Sequence, residues 1–340
     1  MKILTDTFKP NLKYDLNQLG DLSKIVFFDI ETTGLTPRSC YIYIIGCIFY
    51  KDHSFRYIQW FLEDYNEEKD LLKAFSNFLS NYELIIHYNG TAFDMPFILH
   101  RCKRYALPFH FENYKILDLY KIAAPLKHIL KLPNCKQKTV ELFIGLNRQD
   151  PFHGGELIPV FMEYLSTKDQ RAFKILTLHN LEDLKGMLDI CSILAYHDIF
   201  NGSITISQCN IDTSLDYEGH TTNQLITKIK LNNSVPVDIT YIHNNISLAI
   251  KNDSAYIISS SYDYYYKNYY TNYKDYYYLP EEDTAIHKSL AAYVDKNHRI
   301  KATRDTCYTK FQVTEAFLQN TSASTAYINN ILSYLLILRK

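Results

Sequence analysis

Two acidic residues at the end of an apolar segment are the first in this sequence whose types and spacing could support chemistry. Asp29 and Glu31 follow the apolar run Ile25 to Phe28, which is typical of a strand buried on both faces. Side chains two positions apart on a strand point to the same side, about 7 Å apart at their backbones. Two such carboxylates repel by roughly 4 kcal/mol at about 4 Å, which favours recruitment of a hard divalent cation. The alternative is a solvated strand end without chemistry.

Two further acids occur at positions that could join this pair. Asp94 follows the turn at Tyr88-Asn-Gly90 and precedes Pro96, a residue that helices tolerate in their first turn. Asp183 lies four residues after His179, a spacing that places both side chains on one face of a predicted helix. The sequence therefore supplies candidate acids from a strand, from a loop before a helix, and from a helix.

The three segments that carry these acids resemble the exonuclease motifs of the DEDD, or DnaQ-like, superfamily within the ribonuclease H-like fold. The segments are Asp29-Ile-Glu31-Thr-Thr-Gly34, Asn89-Gly-Thr-Ala-Phe-Asp94 and His179-Asn-Leu-Glu-Asp183. The segment that ends at Asp94 is especially similar to the corresponding motif in the proofreading domain of family B polymerases. The resemblance covers about Lys24 to Phe200.

A narrower resemblance is to the YprB-like ribonuclease H-like proteins of bacteria. It rests on the motif spacing, on the segment Arg148-Gln-Asp-Pro-Phe-His-Gly-Gly-Glu156, and on the pair His179-Asn180 in the third motif. Arg148 and His153 in that segment could touch phosphate. Surface contacts are the commoner role for such residues, so we leave both out of the candidate catalytic set.

The resemblance implies a two-metal hydrolysis of phosphodiester bonds. It implies two Mg²⁺ or Mn²⁺ ions, about 4 Å apart, held by four carboxylates. These are Asp29, Glu31, Asp94 and Asp183. His179 is the candidate general base, because histidine titrates near neutral pH. Members with a His base usually carry one more residue before the last Asp, so a water-orienting or phosphate-contacting role for His179 is the alternative.

The resemblance also implies residues that contact substrate. In similar exonucleases the backbone after the strand acids contacts the terminal nucleotide, and here that turn contains Thr32, Thr33 and Gly34. Asn89 could contact the scissile strand. A simple turn is the alternative at both places, since Asn-Gly pairs are common in turns.

Composition limits the class of protein further. The 36 Lys and Arg nearly balance 37 Asp and Glu, so any binding to nucleic acid must be local rather than driven by net charge. The seven cysteines form no CxxC pair and no Cys/His cluster at zinc-ligand spacing, so we expect reduced thiols and a cytoplasmic location. No apolar stretch is long enough to span a bilayer, so no membrane association is expected.

The order of the periodic segments predicts an α/β fold. We expect a ribonuclease H-like mixed sheet, with three antiparallel strands and then parallel strands, flanked by helices. The predicted parts are an N-terminal leader over residues 1–23, the exonuclease domain over 24–200, a linker over 201–222 and an accessory domain over 223–340. The accessory domain should be smaller and mainly β.

The accessory region is rich in tyrosine, which accounts for ten of the seventeen residues from Tyr262 to Tyr278. Tyrosines interleaved with cations could form a stacking platform for single strands. An ordinary β unit with abundant tyrosine is the favoured alternative.

Two functional hypotheses follow. The first is a metal-dependent 3′→5′ exonuclease acting on single-stranded ends of DNA or RNA. The second is a nucleic-acid-binding module, or the partner of a helicase, in which the nuclease site is vestigial. The unusual third motif prompts the second hypothesis, whereas the presence of all four carboxylates favours the first.

Overall fold

The structure, a computed structural model, describes residues 1–148, 152, 154–202, 204–215, 221–261 and 264–338. The chain divides into two compact units. The first comprises residues 1–124 and 133–192, and the second comprises residues 125–132 and 193–340.

A six-stranded mixed sheet forms the centre of the first unit. Its strands are β1 Lys2–Phe8, β2 Ile25–Thr32, β3 Ile42–Lys51, β4 Ser54–Phe61, β5 Leu84–His87 and β6 Lys115–Asp118. The order across the sheet is β1-β4-β3-β2-β5-β6. Strands β1, β4, β3 and β2 pair antiparallel, and β2, β5 and β6 pair parallel. This confirms the predicted ribonuclease H-like mixed α/β fold.

Helices cover both faces of this sheet. Those between residues 68 and 190 are α1 Glu68–Leu79, α2 Asp94–Arg104, α3 Leu119–Leu126, α4 Gln137–Phe143, α5 Gly154–Thr167 and α6 Gln170–Ile190. Phe28 of β2 packs against Phe75 of α1, with ring centroids 5.5 Å apart. Phe61 of β4 contacts Phe161 of α5 and Phe173 of α6 on the opposite face. Side chains alternate along β2, so Asp29 and Glu31 point to the α6 side while Phe28 fills the core under α1.

A β-bulge interrupts the pairing of β2 with β3 beside the acidic residues. Glu31 pairs with Ile44 and Thr32 pairs with Ile42, so β3 contains one extra residue, Tyr43, at this point. A bulge breaks the alternation of side chains and redirects the extra residue. The Tyr43 ring accordingly stacks on Phe161, 4.2 Å between centroids, on the same face as the acids.

The second unit is mainly β, as predicted. Its strands are β7 Thr205–Leu215, β8 Thr221–Lys230, β9 Ile239–His243, β10 Ile246–Lys251, β11 Ser254–Ser260, β12 Tyr266–Tyr269, β13 Tyr276–Leu279, β14 Thr284–His287, β15 Ile300–Lys301 and β16 Tyr308–Phe311. Its helices are α7 Leu194–Phe200, α8 Lys288–Ala291, α9 Glu315–Gln319 and α10 Thr321–Ile337. Tyr266 and Tyr269 from the tyrosine-rich segment are buried, so part of this segment serves as core. No helix in the described residues is both long and apolar enough to cross a membrane.

Three local predictions of secondary structure were wrong. The expected leader contains β1, which pairs along its whole length with β4, and the expected linker contains β7. Both are edge strands with many exposed polar residues, and hydrogen bonds to one neighbour rather than an apolar pattern define them. The sequence from Thr284 to Val294 predicts a helix, but Thr284–His287 forms β14, because its backbone pairs with β13. The proposed division into functional domains stays a prediction.

Candidate active site

The site begins with the two acids of β2 and the helix that packs over them. Asp29 pairs with Gly46 of β3, and the Cβ of any larger residue at position 46 would collide with Asn180 Oδ1. Glycine therefore allows α6 to approach β3 closely enough for its polar side chains to reach Asp29. Glu31 is buried, whereas Asp29 is half-buried.

Asn180 orients Asp29. Its Nδ2 donates a hydrogen bond of 2.9 Å to Asp29 Oδ2, and its Oδ1 accepts one of 2.9 Å from Gln59 Nε2. Gln59 Nε2 also donates to the carbonyl oxygen of Thr177. Among the described residues, Oδ2 of Asp29 accepts the hydrogen bond from Asn180 and Oδ1 accepts none, so Oδ1 can serve a ligand.

Asp94 joins the site from the first residue of α2. Its Oδ1 accepts a hydrogen bond of 3.2 Å from the backbone N–H of Ile30, which lies between the two acids of β2. The preceding turn is anchored separately, because Asp118 Oδ1 accepts from the N–H of Asn89 at 2.8 Å. Asn89 adopts a positive φ of 59°, a conformation that asparagine tolerates better than most residues. Asp118 thus stabilises the turn that leads into Asp94.

His179 and Asp183 complete the cluster from one face of α6. His179 Nε2 lies 3.2 Å from Asp183 Oδ2 and 3.6 Å from Glu31 Oε1. One ligand atom from each of these three residues can be chosen so that all lie within 4.8 Å of one another. An ionised carboxylate at Asp183 or Glu31 can only accept a hydrogen bond, so its partner here would be a protonated Nε2 of His179.

The carboxyl groups of Asp29 and Asp94 have raised pKa values. Burial raises the pKa of Asp29 well above its usual range, and the charges of Asp183, Asp94 and Glu31 raise it further, against a lowering by Asn180. Burial raises the pKa of Asp94 to about 7, and Asp118 and Asp183 add to the increase, although the hydrogen bond from Ile30 opposes it. Asp29 and Asp94 thus resist ionisation because both are buried beside other carboxylates. Clustered carboxylate oxygens of this kind suit Mg²⁺ or Mn²⁺.

Arg148 contacts the site from the loop after α4. Its guanidinium forms ion pairs with Asp183 Oδ1 and with both oxygens of Glu141, which is buried in α4. A Cβ at Gly186 would collide with Glu141 Oε1, so glycine at this position leaves room for the pair. Burial alone would lower the pKa of Arg148, but hydrogen bonds and charges from Glu141 and Asp183 raise it, so the residue stays cationic. Arg148 therefore holds one oxygen of Asp183 and leaves the other facing His179.

Removal of this cation should destabilise the protein. We expect Arg148→Met to lower the free energy of unfolding by about 3 kcal/mol, because it leaves Glu141 buried without its charged partner. The double variant Glu141→Gln/Arg148→Met should recover most of that loss, since no buried charge remains. Urea denaturation of the two single variants and the double variant measures the coupling. Additive losses would contradict the assignment of Glu141 as the partner of Arg148.

The structure brings together all five residues predicted to be catalytic. Thr32 is the last residue of β2, and Thr33 and Gly34 lie in the turn that follows; all three are partly exposed. The hydroxyl of Thr32 donates to Gly34 O, and that of Thr33 accepts from the N–H of Tyr41. Both hydroxyls thus stabilise the turn, and the proposed substrate contacts of this turn and of Asn89 stay predictions. His153 lies outside the described residues.

Several residues of the site were not predicted. Arg148 is not in the candidate catalytic set, because a surface contact is the commoner role for such a residue. Its partner Glu141 is not predicted at all. Asn180 follows His179 directly, so its place in the third motif was the available signal. Gln59 and Gly46 carry no local signal, because their roles depend on which helix packs over β3 and β4.

The fold and the site together define a class of protein, a ribonuclease H-like protein whose acids converge from β2, α2 and α6. Residues 26–195, half of the chain, match the family model of the RNase H superfamily. The chain belongs to this superfamily.

Individual proteins match this chain either over a short segment or at low sequence identity. A 47-residue segment is 38% identical to a DNA polymerase of Ostreid herpesvirus 1, and it covers 13% of this chain and 2% of that polymerase. The family B DNA polymerase of Pyrobaculum calidifontis is 16% identical over 50% of this chain and 24% of its own, with a TM-score of 0.42. E. coli exonuclease I in complex with a dT13 oligonucleotide is 10% identical over 93% of this chain and 74% of its own, with a TM-score of 0.35.

Proposed function

We propose that this protein is a divalent-cation-dependent exonuclease that hydrolyses phosphodiester bonds from the 3′ end of single-stranded nucleic acid. The observation that carries the proposal is the convergence of Asp29, Glu31, Asp94 and Asp183 on three elements of an RNase H superfamily fold. Burial and the neighbouring carboxylates raise the pKa values of Asp29 and Asp94, which favours binding of a cation at the site. We further propose the DEDD assignment within the superfamily, and the narrower YprB-like one.

The residues of the site would have separate roles in this reaction. Asp29, Glu31, Asp94 and Asp183 would hold two Mg²⁺ or Mn²⁺ ions, which when bound supply a nucleophile and neutralise the charge of the leaving oxygen. Arg148 and Asn180 would orient Asp183 and Asp29, since each fixes one carboxylate oxygen.

His179 would accept the proton of the attacking water. Its Nε2 faces Asp183 and Glu31, which only accept hydrogen bonds, so this role requires those oxygens to be engaged elsewhere first. If they stay in place, His179 would instead orient the water. The roles of the four acids do not depend on this choice, so experiments on them test the activity directly.

The binding partner in this proposal is a nucleic acid whose end enters the acidic site. The chain spans only a small part of the polymerases that it matches, so helicase association and the choice of DNA or RNA are separate proposals. The seven cysteines are free thiols, which fits a cytoplasmic location.

Product mapping tests the polarity. With Mn²⁺ present, a 3′-labelled single strand should release labelled mononucleotide at the earliest times, whereas a 5′-labelled strand should give a ladder that shortens gradually. The same assay on DNA and RNA identifies the sugar preference. Immediate release of mononucleotide from the 5′ label would reverse the polarity, and cleavage of circular single strands would indicate an endonuclease. Absence of hydrolysis with Mg²⁺ and with Mn²⁺ would refute the proposed activity.

A further inference from the structure

One buried hydroxyl on the face of the acids lacks a partner. The side chain of Tyr43 is fully buried, and its hydroxyl has no hydrogen-bond partner within the described residues. A buried hydroxyl without a partner is costly, typically about 1 to 3 kcal/mol, and native proteins seldom retain one. Its position therefore calls for an acceptor that the described residues do not supply.

The position of Tyr43 follows from the bulge in β3. Glu31 pairs with Ile44 and Thr32 pairs with Ile42, so Tyr43 is the extra residue directly beside the acidic end of β2. Without the bulge, alternation would send the side chain at position 43 to the α1 side of the sheet. The bulge instead places the ring on Phe161 of α5, on the α6 side. Bulges next to functional sites commonly redirect a side chain in this way.

The charges around the hydroxyl define which partner it can take. Burial raises the pKa of Tyr43 well above its usual value, and the charges of Glu31, Asp29 and Asp183 raise it further. The group therefore remains an O–H donor at every physiological pH. The three acids that act on it are those proposed to hold the cation, and the register of β2 with β3 places Tyr43 beside Glu31.

We propose that Tyr43 is a further residue of the active site, whose hydroxyl donates a hydrogen bond to an oxygen ligand of the bound cation. That ligand is water in the absence of nucleic acid. The inference rests on the proposed function, because it needs a cation at the acids. It adds a hydroxyl donor from β3 to a site whose four proposed cation ligands come from β2, α2 and α6.

The test compares Tyr43→Phe with Tyr164→Phe. Tyr164 is also a fully buried tyrosine in the same aromatic cluster, but its hydroxyl accepts from Lys2 at 3.0 Å and donates to Glu63 at 3.1 Å. Two measurements are made without nucleic acid: the affinity for Mn²⁺ by titration calorimetry, and the melting temperature in excess chelator. Phenylalanine preserves the ring and its packing at both positions.

We expect Tyr43→Phe to bind Mn²⁺ about fivefold more weakly, the effect of one hydrogen bond, with a melting temperature in chelator no lower than that of wild type. Tyr164→Phe should show the converse, with unchanged Mn²⁺ affinity and a lower melting temperature. Wild-type Mn²⁺ affinity in Tyr43→Phe would overturn the inference while leaving the proposed function intact. A lower melting temperature in chelator without weaker Mn²⁺ binding would show a structural role only. If wild type binds no Mn²⁺, both the inference and the proposed function fail.

Discussion

The Asp29→Asn variant should lose at least about 10³-fold of its phosphodiester hydrolysis while remaining folded. A cation that binds the reacting oxygens contributes several kcal/mol to the transition state, and about 1.4 kcal/mol corresponds to a tenfold change in rate. Asparagine preserves the shape of the side chain and can still accept the hydrogen bond from Asn180 Nδ2 through its oxygen. The loss should therefore come from the missing charge rather than from a changed structure.

The melting temperature distinguishes a loss of charge from a change of structure. Asp29 is destabilised by burial and by the three neighbouring acids, so a neutral residue at this position should leave the melting temperature in chelator unchanged or raise it. Single-turnover hydrolysis of a labelled single strand, with saturating Mn²⁺, measures the rate. Circular dichroism and thermal unfolding of the same preparations measure the fold.

Asp189→Asn provides the matched control. Asp189 lies on α6, the same helix as Asp183, and burial raises the pKa of its carboxyl to about 6. It lines a separate cavity with Lys13 and Asn11 rather than the acid cluster. The control variant should hydrolyse at close to the wild-type rate. Equal activity of Asp29→Asn and wild type would remove Asp29 from the proposed site, and equal loss in both variants would point to a general effect of removing a buried carboxylate.

The sequence was sufficient for those parts of the site that depend on local periodicity. The apolar run before Asp29 predicts a buried strand, and alternation then places Asp29 and Glu31 on one side of it. The interval of four residues places His179 and Asp183 on one helical face, where the structure has them 3.2 Å apart. Each inference needs only the geometry of a single element.

The parts that were not predicted depend on relations between elements. The bulge at Tyr43 is a shift of register between two strands, so neither strand reveals it alone. Arg148 and Glu141 are seven residues apart, and their pairing depends on how the chain turns after α4 toward Asp183. Edge strand β1 has a largely polar sequence, and its backbone pairing with β4 defines it. Secondary-structure propensity and hydrophobic pattern predict structure poorly where pairing between distant segments determines it.

The contribution of Asp94 to the stability of the protein in chelator should fall as pH rises from about 4 to about 7. The pKa of Asp94 is about 7 in the folded protein, against an ordinary value of 3.8. Between these values the folded state binds a proton that the unfolded state has released, so the free energy of unfolding decreases with increasing pH. The difference corresponds to a loss of about 4 kcal/mol from Asp94, complete above pH 7. The raised pKa of Asp29 acts in the same direction.

Mn²⁺ should counter this loss, because a cation stabilises the ionised carboxylates that are costly without it. The increase in melting temperature on adding Mn²⁺ should therefore be larger at pH 8 than at pH 5.5. Thermal unfolding gives the melting temperature under all four conditions, that is, at both pH values in chelator and in Mn²⁺. Binding at pH 5.5 should release more protons than binding at pH 8, which calorimetry in buffers of different ionisation enthalpy can determine.

Asp94→Asn isolates the contribution of this residue from that of every other titrating group. Asparagine Oδ1 can keep the hydrogen bond from the N–H of Ile30, so the connection between α2 and β2 should survive. In chelator the variant should lose less stability than wild type between pH 4 and pH 7, and near pH 8 it should be the more stable protein. Identical pH profiles would mean that Asp94 titrates normally. In that case Asp94 would not be poised for a cation, because the cost of its ionisation, from burial and from neighbouring carboxylates, would be absent.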